Sequence, residues 1–133
     1  MAHPNEDTLR RADEAQAKGD VQGMMEMFAD DVVVHIGGRS KMAGDYKGKD
    51  QLIETYGRFV QSLGESAVME THDILANDTH GVMLQSFTTE SGGQRVKING
   101  VGILHFSNGK VSEAWFIDED PYTADPIYDA GLK

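Results

Sequence analysis

"KDQLIETYGRFVQSLGESAVMETHDILAND", residues 49–78, contains the change of rhythm that decides the fold. In its first half Leu52, Ile53, Tyr56, Phe59, Val60 and Leu63 recur at the three- and four-residue steps that gather side chains on one face of a helix. From Ser66 onward the period falls to two, the signature of a strand with one face inward. The new rhythm then persists. "HGVMLQSFTTE" (80–90), "QRVKINGVGILHF" (94–106) and "KVSEAWFIDED" (110–120) alternate in the same way. Between the four strands stand Asn77-Asp78-Thr79, Ser91-Gly92-Gly93 and Ser107-Asn108-Gly109, the small and left-handed-tolerant residues that hairpins need.

Upstream the pattern is helical with one interruption. The first helix is expected from about Glu6 to Lys18, with Gly19 ending it and Asp20 capping a second helix. In that second helix Val21, Met24, Met25 and Phe28 form one apolar stripe, read as core packing ahead of a methionine-lined ligand wall. Residues 31–36, rich in β-branched side chains, form a strand, and the glycine-broken stretch 37–47 is expected as a loop. Residues 119–133, with two prolines in "PYTADPIYDAGLK" and no periodicity, are expected as an extended tail. Helices first and hairpin strands after them argue for one α+β domain spanning 1–133.

Composition narrows the function. The chain has 133 residues, a length at which roughly two-thirds of the unfolded surface is buried on folding. It contains no cysteine, so no disulfide or thiolate chemistry is available. The net charge of −10, from 22 acidic and 12 basic residues, argues against nucleic acid, which needs a clustered positive field. No stretch has the apolar core of a signal peptide or a bilayer span, so a soluble, cytoplasmic protein without membrane partners is expected.

The element order, with "KGDVQGMMEMFADDVVVHIGGRSKMAGDYKG" (18–48) and "NGKVSEAWFIDEDPY" (108–122), resembles the nuclear-transport-factor-2-like superfamily. Within it the chain most resembles the SnoaL-like polyketide-cyclase and ketosteroid-isomerase-related branch. The resemblance implies a cone-shaped half-barrel, with three N-terminal helices packed in a curved, mostly antiparallel sheet around an apolar pocket. It also implies a homodimer formed through the outer sheet face. Named activities fail on residues. The steroid-isomerase base position falls on Ile36, its tyrosine near Ala12 and its oxyanion acid near Gly102. The last-strand acid of the epoxide hydrolases falls near Phe116 or Ile117.

His35, ending an apolar strand at near-neutral pKa, is the first catalytic candidate. Strand alternation sets it with Val33, opposite Val32, Val34 and Ile36, so it reaches a pocket lined by Ile36 only through a bulge at Gly37-Gly38. Glu113 is the second candidate, because the resemblance implies that the Glu113–Trp115 face lines the cavity. Tyr56, Phe59, Trp115, Phe28 and Asp118 are the candidate ligand-binding residues. The five histidines, at 3, 35, 72, 80 and 105, never fall at i, i+3 or i+4, so neither metal nor cofactor is expected. The function expected is acid–base catalysis (isomerase, cyclase, dehydratase or hydrolase) on a small hydrophobic ligand. A non-catalytic binding module and a dimeric adaptor are the alternatives.

Overall fold

The computed structural model describes residues 3–132. Its elements run α1 (Pro4–Ala17), α2 (Val21–Met25), β1 (Phe28–Ile36), β2 (Gly44–Lys47), α3 (Lys49–Leu63), β3 (Val68–Ala76), β4 (His80–Ser91), β5 (Gln94–Ser107), β6 (Lys110–Asp118) and α4 (Pro121–Gly131). The strands make one curved sheet in the order β2-β1-β6-β5-β4-β3. Every pairing is antiparallel except β1 with β6, which is parallel. The α+β reading therefore holds. Among the described residues no helix is long and apolar enough to cross a membrane.

Local chemistry explains the element ends. Asp20 caps α2 by accepting the Gly23 N–H at 2.9 Å. Helix α3 starts after Gly48, at φ 84°, and stops before Gly64, at φ 81°, two backbones that suit glycine. The hairpin glycines Gly92, Gly93 and Gly109 likewise have positive φ.

Three expectations need correction. Helix α2 ends at Met25, and Phe28 instead opens β1, opposite Val111 of β6. The hydrogen bond from Val111 N–H to Met27 O, 2.8 Å, draws this segment into the sheet, so pairing overrides the helical stripe. The loop at 37–47 carries a short strand, β2, held along β1 from Val33↔Lys47 to Ile36↔Gly44. The tail is helical, not extended. Pro121 stands in the first turn, where its missing N–H costs nothing, and Asp120 caps the helix through Thr123. Ala124, Ile127 and Tyr128 then fall on one buried face. Pro126, which looked like a breaker, lies on the exposed side.

The register lays out the concave face as rows of side chains crossing the strands. Gly81, Leu104, Ala114 and Val34 form one row, and Met83, Gly102, Phe116 and Ile36 form the next. Helices α1, α2 and α3 close over this floor, and Leu9 of α1 is wholly buried against it, as are Leu104 and Val32 of the sheet. A second apolar cluster joins α4 to the ends of α3, β4 and β5 through Leu63, Phe87, Ile98, Ile127 and Tyr128. Between the two clusters the packing stays open.

A cavity with an aspartate–tyrosine pair

The open space between sheet and helices is a cavity of about 210 Å³. Of the chain's seven methionines, Met24, Met25, Met27, Met42, Met69 and Met83 all line it, beside the rings of Phe28, Tyr56, Phe59, Phe87, Phe116 and Tyr128. Thioethers and rings together make an adaptable, polarisable surface suited to a small apolar molecule. None of the described residues that line it is Lys, Arg or His, whereas Asp13, Glu70 and Asp118 do. An anionic ligand would enter without a counter-charge, so the wall selects uncharged molecules.

One acid–base pair faces this space. Asp118 ends β6 on the same face as Ala114 and Phe116, and its Oδ2 accepts the Tyr128 hydroxyl of α4 at 2.8 Å. Burial raises the Asp118 pKa, the Tyr128 hydrogen bond pulls it back, and the nearby Asp125 carboxylate raises it again. Burial, and then the negative charge of Asp118, push Tyr128 far above the usual tyrosine range. The result is a carboxyl group that picks up a proton more readily than a surface aspartate, beside a hydroxyl that remains a donor throughout. On the helix side Tyr56 is also raised by burial, with the Gln16 amide partly offsetting it.

Helix α4 is held to the β1–β2 connection by two further carboxylates. Asp125 Oδ2 accepts the Arg39 N–H at 2.8 Å, and Asp129 Oδ1 accepts the Lys41 N–H at 2.7 Å. Gly38 lies so close that an added Cβ would come within 2.6 Å of Asp125 Oδ1. The stretch expected as a loop is therefore a pinned wall, with Met42 buried beneath it and the Tyr46 hydroxyl bonded to Met42 O at 2.7 Å.

The sequence-derived site divides in two. Phe28, Tyr56, Phe59 and Asp118 line the cavity. His35, Glu113 and Trp115 do not: they lie together on the convex face. No bulge re-aims His35, which pairs in register with Asp45 and Trp115. Parallel pairing sets Ile36 opposite Phe116, so Phe116 and Asp118 turn inward while Glu113 and Trp115 turn outward. The nearness of His35 to Glu113 is real even so. His35 Nε2 lies 2.7 Å from Glu113 Oε2, and Nδ1 lies 2.6 Å from Asp45 Oδ1. Its ring stacks on Trp115 at 5.2 Å, and His105 meets the other side of that indole at 4.7 Å.

Each carboxylate only accepts, so the imidazolium, donating from both nitrogens, is the form that satisfies both. The bonds to Asp45 and then Glu113 accordingly raise the His35 pKa. A raised pKa gives stability that is complete below the unfolded value of about 6.5 and is lost as pH rises through the folded one. His35→Gln is thus expected to lower the melting temperature at pH 6 and to change it little at pH 9. Melts at the two pH values check this.

The bulge absent at His35 occurs at His72, between Thr71 and Asp73 of β3, yet both His72 and Asp73 stay exposed. Asp73 spends its Oδ1 on the Ile74 N–H. Among the described residues no group of three or more His, Asp or Glu side chains is arranged to hold a metal ion. Sequence reasoning missed Tyr128. The Asp120-Pro121 start and the 124, 127, 128 spacing were the signals that mark its helix.

Residues 9–114 match the SnoaL-like domain family, and the chain belongs to it. No curated protein matches the chain. Among solved structures, Bal32a from a soil-derived mobile gene cassette is 28% identical, with 96% of this chain and 98% of that one covered at a TM-score of 0.85. An NTF2-like (nuclear-transport-factor-2-like) protein of unknown function from Burkholderia pseudomallei is 20% identical, covering 95% and 98% at 0.79. TerC, co-crystallised with polyporic acid, is 15% identical, covering 94% and 98% at 0.80.

Proposed function

We propose that this member of the SnoaL-like domain family is an acid–base enzyme that moves a proton on a small, uncharged, largely apolar carbonyl compound. The observation that carries this reading is the half-buried Asp118 of raised pKa, bonded to Tyr128 in a cavity without a cationic side chain among its described lining. TerC, which has the same fold, gives a small-molecule precedent through polyporic acid.

In the reaction, the Asp118 carboxylate takes a proton from the carbon beside the carbonyl. The C–H bond breaks, and its electron pair moves through the new C=C bond onto the carbonyl oxygen. Tyr128, protonated throughout, turns its single O–H from Asp118 to that oxygen as the carboxylate takes up the proton. Return of the proton from Asp118 to another carbon gives an isomer. Where a hydroxyl stands one carbon further on, the enolate electron pair instead forms a C=C bond to that carbon as the C–O bond breaks, and the hydroxyl leaves as water with the proton held by Asp118.

The cavity volume of about 210 Å³ sets the size of the substrate. It exceeds the cavity of about 150 Å³ that accepts benzene and falls short of the roughly 300 Å³ at which drug-sized pockets begin. One- and two-ring ketones are therefore the substrates to test. In D₂O the protein is expected to replace the α-hydrogens of cyclohexanone and 2-tetralone with deuterium faster than buffer does, as read by proton NMR. If neither ketone exchanges above the buffer rate while both bind, the protein is a ligand carrier and the catalytic reading is lost.

A further inference from the structure

The register places a polar row across the concave face, Thr71, Gln85, Gly100 and Asp118, on β3, β4, β5 and β6, while Thr89 on the same face of β4 gives its hydroxyl to Leu63 O. Thr71 at one end is engaged by Asp13 of α1, and Asp118 at the other by Tyr128. Gln85, partly exposed, lines the cavity, and among the described residues no hydrogen bond engages its amide. Gly100 between them leaves the floor bare. A Cβ there would come within 3.2 Å of Asp118 Oδ1 and of Ile117 O. The neighbouring rows, Met83–Gly102–Phe116 and Met69–Phe87–Ile98, offer no polar side chain.

Two strand spacings, about 10 Å in all, separate the backbones of Gln85 and Asp118. A six-membered ring with oxygens on opposite carbons spans a gap of that order, given a hydrogen bond of about 2.8 Å at each end. Resting on the proton-transfer reading, we propose that Gln85 is the second anchor of this site and that the substrate is a ring ketone with another oxygen across the ring from its carbonyl. The ring lies over Gly100 between the two apolar rows. Its ketone oxygen meets the Tyr128 hydroxyl with the α-carbon at Asp118, and its far oxygen meets the Gln85 amide. Because the amide both donates and accepts, it serves a hydroxyl or a second carbonyl equally.

The test uses protein carrying ¹³C on its methionine methyl groups, six of which line the cavity. Cyclohexanone, 4-hydroxycyclohexanone and 1,4-cyclohexanedione are titrated while the methyl shifts are followed. The wild type is expected to bind both dioxygenated probes about fivefold more tightly than cyclohexanone, the size of one net hydrogen bond. Gln85→Leu is expected to erase the preference while cyclohexanone binds as before. Gln85→Glu, which accepts but cannot donate when ionised, keeps the preference for the hydroxyketone and loses that for the dione. Equal binding of all three probes by the wild type overturns the inference and leaves proton transfer standing. A preference that survives in Gln85→Leu also overturns it. If no probe moves any cavity methyl, the proton-transfer reading falls too.

Discussion

Asp118→Asn is expected to slow α-hydrogen exchange by two to four orders of magnitude, the range that a positioned general base contributes. The replacement is nearly isosteric, and its amide oxygen can still accept the Tyr128 hydroxyl, so the wall of the cavity is kept. What disappears is the basic oxygen. In the wild type the rate falls on the acid side as Asp118 takes up its proton. That limb lies above the ordinary aspartate value of 3.8, because burial raises this pKa. A pH–rate profile reads both effects. Stability moves the other way. A carboxyl group with a raised folded pKa binds its proton more tightly folded than unfolded, so it costs the fold stability as pH rises above the unfolded pKa. Asn has no such cost. The variant is expected to match the wild type near pH 3 and to melt at a higher temperature near pH 7.

Leu104→Ala is expected to destabilise the fold by about 3–5 kcal/mol, the upper part of the range for a large-to-small core change. Leu104 has 0% exposure, and its row neighbours across the strands are Gly81 and Ala114. Neither small residue has atoms to lend to the hole. Leu9 lies overhead in α1, so close that a Cβ on Gly81 would come within 2.9 Å of its Cδ1. The large side chains that fill this end of the cone come from Leu104, its helix partner Leu9 and the Phe106 ring, whose Cε2 would lie 3.0 Å from the same Cβ. Urea denaturation measures the loss, as a lower midpoint at unchanged slope. Val82→Ala, on the convex side of β4, is expected to cost under half as much.

How much of this was legible depended on how local each signal was. Helix α3 stood out because six apolar residues repeat within fifteen positions between two glycines, and its observed ends are Lys49 and Leu63. The four hairpin strands stood out because two of their turns carry the residues that positive φ requires, at Gly92-Gly93 and Asn108-Gly109, and the third carries Asn77, whose Oδ1 accepts the Thr79 and His80 N–H groups. Strand β2 is only four residues long, too short for alternation to register, and its partner β1 supplies the order. Phe28 had two compatible roles, the end of a helical stripe or the start of a strand, and β6, more than eighty residues away, decided between them.

The site failed in the same manner. Alternation correctly separated His35 from Ile36, and Glu113 from Asp118, onto opposite faces. The choice of which β6 face looks inward depends on the parallel pairing of Ile36 with Phe116, a contact that no local pattern encodes. The Asp118–Tyr128 bond further required α4, and two prolines concealed that helix.

The proposed reaction puts ligand chemistry in the concave cavity and not at the His35–Glu113–Trp115 cluster on the convex face. The most direct test is one titration of 4-hydroxycyclohexanone followed at two sets of nuclei, the methionine ¹³C methyls and the indole N–H of Trp115, the chain's single tryptophan. Saturable shifts in the methyls of Met42, Met69 and Met83, with the indole signal unmoved, are the predicted result. Shifts at the indole with silent methyls would move the site to the outer face.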